Sequence, residues 1–181
     1  MKPRISVFVA TSLDGYIARP DGGVEWLDVP LPSPNEDYGF QGFFETVDTL
    51  VMGRHTFEKV LSFDPWPYAR KPVIVLSRRA VALPAHLQHC VTASSENPAE
   101  LASRLWVEGR RHLYVDGGIT IQGFLAAGLV DELTITRIPI LLGGGIPLFG
   151  PLLQDVPLTL QFSRSFANGL VQTRYRVSPP G

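Results

Sequence analysis

The stretch TLVMGRHTFE (Thr49–Glu58) points to the fold class, because it joins an apolar strand to a helix through a single glycine. Residues 49–52 predict a buried strand, and the turn at Gly53 predicts a helix that reaches about Leu61. At such a junction the first N–H groups of the helix are unpaired, and glycine lets an anion approach the backbone closely. The stretch therefore predicts a strand–turn–helix unit with an anion-binding turn.

A second junction of the same kind, VDGGIT (Val115–Thr120), follows a later strand. Beyond another strand, LSRR (Leu76–Arg79) offers a hydroxyl and two guanidinium groups, which suit a phosphate dianion. Several anion sites on one sheet suit a dinucleotide, since ligands of open α/β sheets bind at the carboxyl ends of strands. The alternative is ordinary turn glycines and solvated arginines. The sequence contains neither the Rossmann pattern G-x-G-x-x-G after a strand nor a P-loop pattern.

The rest of the chain alternates predicted strands with predicted helices. We predict strands at residues 5–10, 49–52, 72–76, 89–92, 112–115, 132–139, 158–166 and 170–177, and helices at 35–47, 54–61, 98–107 and 117–128. Asn35 and Asn97 are predicted helix caps, and Asn168-Gly169 is a strong hairpin signal. The pattern predicts one α/β domain, residues 1–181, with a mixed, mostly parallel sheet of about eight strands flanked by helices and a C-terminal antiparallel hairpin.

The composition excludes several classes of protein. Of the 181 residues, 45% are hydrophobic and 18% are charged, and the net charge is −1, so we expect a globular protein with no overall attraction to nucleic acid or anionic membranes. The single cysteine, Cys90, predicts neither a disulfide nor a Cys-rich metal site. No signal peptide or membrane-spanning run is evident, so we expect a cytoplasmic protein without a metal.

Four segments carry a resemblance to a known family. Thr49–Glu58 resembles the phosphate-binding junction of dihydrofolate reductases. SLDGYIA (Ser12–Ala18) and VDGG (Val115–Gly118), the latter followed by GLVDEL (Gly128–Leu133), are similar to the reductase domain of bifunctional riboflavin-biosynthesis enzymes. The two groups share one fold superfamily, and the matches occur in the right order. The resemblance implies a dihydrofolate-reductase-like fold and an NADPH-dependent reductase.

The resemblance also implies where NADPH lies. It assigns residues to the nicotinamide (Ala10, Ile17, Ala18), to the phosphates on the adenosine side (Gly53, Arg54, His55, Thr56), to the 2′-phosphate (Ser77, Arg78, with help from Arg79), and to the pyrophosphate and nicotinamide ribose (Gly117, Gly118, Ile119, Thr120).

On the substrate side, counting back from Gly53 without a gap places Asp37 where dihydrofolate reductases carry their ring-binding carboxylate. Asp37 is thus a candidate catalytic and substrate-binding residue, or else a charge in the first turn of its helix. Trp26 either walls the substrate cavity or pins the long loop that follows the first strand to the core. We expect a pyrimidine- or pterin-like heterocycle, with a ribosylaminopyrimidine first and dihydrofolate second. Arg70 and Lys71 are candidates for the anionic end of either substrate.

Some features depart from the two groups. Asp116 stands where a glycine or glutamate is usual before Gly117-Gly118, and the cytidine-deaminase-like half of the bifunctional enzymes is absent. Asp14 is more typical of a turn than of a catalyst.

The apolar residues 135–142 and 148–153 predict a homodimer surface, unless they belong to the core. A redox-inactive nucleotide-binding sensor remains a competing hypothesis.

Overall fold

The computed structural model describes residues 1–28 and 36–178. The strands are β1 (Arg4–Ser12), β2 (Tyr16–Ala18), β3 (Thr49–Gly53), β4 (Val73–Leu76), β5 (Val91–Ser94), β6 (His112–Asp116), β7 (Glu132–Ile138), β8 (Ile146–Pro147), β9 (Leu158–Ser165) and β10 (Val171–Val177). The α-helices are α1 (Phe40–Thr46), α2 (Arg54–Val60), α3 (Pro98–Val107) and α4 (Gly118–Ala126), with 3-10 turns at Glu25–Asp28 and Ala85–Leu87.

Eight of the strands form one sheet in the order β5-β4-β3-β6-β1-β7-β10-β9. The pairs from β5 to β7 are parallel, whereas β10 runs antiparallel to both β7 and β9. Because β1 lies between two parallel neighbours and is covered on both faces, its sequence is almost continuously apolar. The predicted fold class is confirmed: a mixed, mostly parallel sheet of eight strands with flanking helices and a C-terminal antiparallel hairpin.

The two faces of the sheet bury separate hydrophobic cores, which follow the strand alternation. On one face Val51 packs with Leu105 of α3 and Phe124 of α4. On the other face Met52, its neighbour in β3, packs with Phe57 of α2. Each fully buried side chain of this kind contributes about 1.5–3 kcal/mol, so the helices are fixed to the sheet on both sides. This leaves the strand ends free to form a site.

Helix α1 is shorter than predicted. It begins at Phe40, because Tyr38 and Gly39 have left-handed φ angles of 56° and 80°. The carboxylate of Asp37 accepts hydrogen bonds from the N–H groups of Gly39 (2.9 Å) and Gln41 (2.8 Å) and so caps this first turn. The predicted cap Asn35 lies outside the described residues.

A two-stranded antiparallel ribbon, β2 with β8, was not predicted. Asp14 holds it near the sheet, because its carboxylate accepts the N–H groups of Leu142 (3.1 Å) and Gly143 (2.8 Å) and the hydroxyl of Ser12 (2.6 Å). These bonds lower the pKa of Asp14, with the Ser12 hydroxyl as the largest cause. Asp14 is therefore a turn residue that ties two distant segments together.

Candidate functional site

A cavity of about 1300 Å³ opens at the carboxyl ends of β3, β4 and β6, beside β1. Small-molecule pockets usually measure roughly 300–1,000 Å³, so this one has room for a dinucleotide and a second small ligand. All the residues predicted to contact the cofactor except Arg79 line it, namely Ala10, Ile17, Ala18, Gly53, Arg54, His55, Thr56, Ser77, Arg78, Gly117, Gly118, Ile119 and Thr120.

The first junction, from β3 into α2, presents charged side chains to the cavity. Arg54 donates to Glu58 at 2.9 Å, and Nδ1 of His55 lies 3.3 Å from the same carboxylate. Glu58 therefore partly neutralises the Arg54 guanidinium that was predicted to meet a phosphate. Surface ion pairs of this kind are worth only about 0–1 kcal/mol, so a phosphate can compete for Arg54.

A turn beyond β4 presents Arg78. The hydroxyl of Ser77 donates to the carbonyl of Arg79 (2.8 Å) and accepts the Arg79 N–H (3.1 Å). Ser77 and Arg78 line the cavity. The Ser77 hydroxyl thus shapes the turn as well as facing the site predicted for the 2′-phosphate.

The second junction, from β6 into α4, is shaped by glycine. Gly117 has a φ of +89°, and a β-carbon there would overlap the side chain of Thr56. A β-carbon at Gly118 would lie 3.0 Å from the side chains of Ile17 and Ile146. Both glycines are thus required by close approach, and they leave bare backbone at the cavity wall.

The ribbon supplies the wall predicted to meet the nicotinamide. Ile17 and Ala18 of β2 and Ile146 of β8 line the cavity next to Gly118, and Ala10 of β1 lies on the same lining. A β-carbon at Gly145 would meet the carbonyl of Ala18, so the ribbon also depends on a glycine. The result is an apolar wall facing the bare backbone of the second junction.

The structure does not bring Asp37 or Trp26 into the cavity. Asp37 is exposed, and the N–H groups of Gln41 and Gly39 lower its pKa, as expected of a capping carboxylate. Trp26 is 1% exposed and packs with Ile138 and Leu170, so it fixes the loop to the core. For both residues the contacts favour the alternative role considered from the sequence.

The predicted anion partners before β4 are also placed elsewhere. The ammonium group of Lys71 donates to the carbonyl of Phe44 at 2.5 Å and to that of Val47, and so closes the C-terminal end of α1. Neither Arg70 nor Lys71 lines the cavity. A cation at a helix C-terminus is stabilised by the unpaired carbonyls there, which accounts for this position of Lys71.

Asp116 lies in the cavity wall at the end of β6 and was not predicted as a site residue. Burial raises its pKa to about 6, although the Gly117 N–H, at 2.8 Å, opposes the shift. A half-buried carboxyl group that titrates near neutrality is suited to proton transfer. One feature of the sequence indicated its importance: Asp116 stands where the two related groups usually carry a glycine or a glutamate.

No group of three or more histidine, cysteine, aspartate or glutamate side chains that could hold a metal ion occurs in residues 1–28 and 36–178. In the same ranges no helix combines the length and the apolarity that a membrane span requires.

The family model of the RibD C-terminal domain matches residues 3–172. The chain belongs to the RibD C-terminal domain family. This confirms the resemblance to the riboflavin-biosynthesis reductase domain that the motifs predicted. In this family the domain is a reductase of riboflavin biosynthesis, so the membership is consistent with pyrimidine-reductase-like activity.

Several relatives show how far the likeness extends. A crystal structure from Shewanella sp. PV-4, named for riboflavin biosynthesis, is 45% identical with a TM-score of 0.90 and covers 98% of this chain and 99% of that chain. YwjB of Bacillus subtilis is 33% identical over 97% of this chain and 98% of its own length.

The deaminase/5-amino-6-(5-phosphoribosylamino)uracil reductase of Thermotoga maritima shares the fold at 15% identity, with a TM-score of 0.72, over 98% of this chain and 57% of that chain. This member of the RibD C-terminal domain family thus matches stand-alone proteins along their whole length and the bifunctional protein along about half.

Proposed function

We propose that this protein is an NADPH-dependent reductase that reduces a C=N or C=O bond of a pyrimidine- or pterin-like heterocycle. The observation that carries the proposal is that one cavity is lined by all the predicted cofactor residues except Arg79 and also by Asp116, a carboxyl group with a pKa of about 6. Family membership supports the reductase chemistry. Family membership does not specify the substrate, which is therefore part of this proposal.

The residues present fit NADPH. The glycines of the second junction leave a cradle that a β-carbon would fill, and Arg54 and Arg78 supply guanidinium groups for the 2′-phosphate and the phosphates nearby. When bound, NADPH supplies the hydride. The chain positions it, with the apolar wall of Ile17 and Ala18 keeping water from the nicotinamide side of the cavity.

Asp116 supplies the proton that the reduction needs. Hydride adds to the carbon of the C=N or C=O bond, and the Asp116 carboxyl gives its proton to the nitrogen or oxygen. The carboxylate is then reprotonated from solvent through the open cavity. Its pKa of about 6 leaves a useful fraction of the acid protonated near neutral pH. In this proposal Asp116 takes the role first predicted for Asp37.

The test is NADPH oxidation with two substrates under identical conditions. We expect 5-amino-6-(5-phosphoribosylamino)uracil to give the higher kcat/KM, with dihydrofolate as the runner-up. The Asp37→Asn variant should retain wild-type activity, because its carboxylate is engaged with backbone N–H groups. Tight NADPH binding without turnover of any heterocyclic imine or ketone would instead favour the nucleotide-binding sensor.

We also propose a cytoplasmic homodimer. The apolar segments that predicted a dimer divide between core and surface: Ile138 and Leu148 are buried, whereas Leu141, Leu152 and Leu153 are exposed. Exposed apolar side chains such as these favour a partner surface. Sedimentation at micromolar concentration should give a dimer, and a monomer across the whole concentration range would remove this part of the proposal.

A further inference from the structure

Two buried tyrosines line the cavity near Asp116, and their hydroxyl groups differ. Tyr114 precedes Asp116 by two residues in β6, and its hydroxyl donates to the carbonyl of Phe8 at 2.9 Å. Tyr68 is 7% exposed, and no group in residues 1–28 and 36–178 hydrogen-bonds its hydroxyl. One phenol is therefore satisfied within the fold, and the other is not.

The ring of Tyr68 is fixed by its neighbours. It meets the ring of Trp66 edge-on at 5.3 Å between centroids and the ring of Phe44 at 6.1 Å. Packing therefore holds the phenol in place without its hydroxyl. Its hydroxyl reaches the cavity without a hydrogen-bond partner in the described residues, so it is free to donate to a ligand bound there.

The surroundings keep Tyr68 a hydrogen-bond donor. Burial, followed by the negative charge of Asp116, raises the pKa of Tyr68 well above its usual range. The phenol thus stays protonated at every physiological pH. Asp116 lines the same cavity, where one of its carboxyl oxygens accepts the Gly117 N–H and the other is left to the cavity. Protonated Asp116 and Tyr68 are therefore both donors available to a ligand in that cavity.

We propose that Tyr68 is a substrate-binding residue that donates a hydrogen bond to a ring carbonyl oxygen of the substrate. The proposal rests on the proposed function and narrows it. The substrate class is a heterocycle whose ring carries a carbonyl oxygen. A ring with an amino group in place of that oxygen has no acceptor for the phenol and is disfavoured.

The experiment compares the binding of two ring probes. Diaminouracil carries ring carbonyl groups at the positions where tetraaminopyrimidine carries amino groups. Their binding to the NADP⁺-loaded protein is measured by calorimetry for wild type, Tyr68→Phe and Tyr114→Phe. Phenylalanine keeps the packing against Trp66, so Tyr68→Phe should fold normally. We expect wild type to prefer diaminouracil, and Tyr68→Phe to bind it about tenfold more weakly with the preference lost. Affinity for NADP⁺ should not change.

Tyr114→Phe is the matched control, and it should keep the preference because its hydroxyl bonds to the backbone. If it fails to fold, Tyr175→Phe on β10, outside the cavity, replaces it. Unchanged diaminouracil binding by Tyr68→Phe overturns the proposal and leaves the reductase standing. Binding of NADP⁺ by wild type without a preference between the two probes would also overturn the proposal for Tyr68 and leave the proposed reductase function standing. Failure of wild type to bind either NADP⁺ or NADPH refutes the proposed function itself.

Discussion

The two strand–helix junctions share a spacing and differ in how they are built. Gly53-Arg54-His55-Thr56 and Gly117-Gly118-Ile119-Thr120 both place a threonine three residues after a glycine. The structure sets them face to face: a β-carbon at Gly117 would overlap Thr56, and one at Gly53 would lie 2.8 Å from the hydroxyl of Thr120. Each glycine makes room for the threonine of the other junction.

The chemistry of the two junctions is opposite. The first presents the Arg54 guanidinium, which pairs with Glu58, and the His55 ring, which lies against the same carboxylate. The second has no charged side chain after Asp116, and it relies on the left-handed φ of Gly117 and on close packing at Gly118. One junction can therefore recognise a ligand by charge, whereas the other can do so only by shape and backbone N–H groups.

The largest effect should come from Gly117→Ala. It combines a positive φ with an overlap at Thr56, so we expect a loss of about 2–4 kcal/mol in the free energy of unfolding. Gly53→Ala, at an ordinary φ of −79°, should cost about 1 kcal/mol. Urea unfolding measures both variants. Adding Thr56→Ala should recover part of the Gly117→Ala loss, and equal losses at the two glycines would contradict the comparison.

Asp116→Asn tests the one titrating group of the second junction. Without a proton donor, kcat/KM should fall about 10²-fold or more. In wild type the protonated acid is depleted as the pH rises through about 6, so activity should decline above that pH. The variant should show a flat profile over this range. A variant that keeps the wild-type decline would assign it to another group.

Arg54→Ala tests recognition by charge at the first junction. Arg54, Ser77 and Arg78 are the three groups available to the 2′-phosphate, so loss of one charge-assisted hydrogen bond should weaken NADPH binding about tenfold. NADH binding should weaken less, because NADH lacks that phosphate. Ile119 holds in the second junction the position that His55 holds in the first. The Ile119→Ala variant should therefore change the affinities for NADPH and NADH equally. Fluorescence titration separates the cases, and equal wild-type affinities for NADPH and NADH would refute the assignment.

The smallest effect concerns the opposite ends of the same strands. At the start of β6, Nδ1 of His112 donates to the Thr46 carbonyl (3.0 Å), and Nε2 accepts from the Ser6 hydroxyl (2.8 Å). Burial lowers the pKa of His112 below its ordinary value of 6.5. Its contribution to stability is therefore present above pH 6.5 and is lost as the pH falls through the lowered folded value.

Unfolding of wild type and His112→Gln over this pH range isolates that contribution. The variant should lack the part of the pH dependence that His112 causes. Parallel curves for the two proteins would show that the histidine does not couple folding to protonation.

The sequence predicted the sheet because each of its strands is an apolar or alternating run bounded by turn residues. The ribbon escaped prediction because β8 has only two residues and exists through contacts with a segment far away in the chain. The cofactor residues were local to two junctions and therefore visible as motifs. The gapless count that singled out Asp37 took no account of the left-handed Tyr38 and Gly39, which turn its carboxylate onto α1. The roles proposed for Asp116 and Tyr68 depend on burial at the cavity, which no spacing reveals.

The carboxylate of Asp14 joins backbone groups 128 and 129 residues away in sequence. Such a contact closes a very long loop, and the entropy of that closure is lost before the contact forms. Pairing of β1 with β7 closes most of this loop, so we expect the ribbon to assemble after that pairing, late in folding. Its local opening is also cheaper than opening the sheet, because few residues are released. The β2–β8 ribbon, which forms the wall predicted to meet the nicotinamide, can thus open transiently while the two junctions opposite it remain folded.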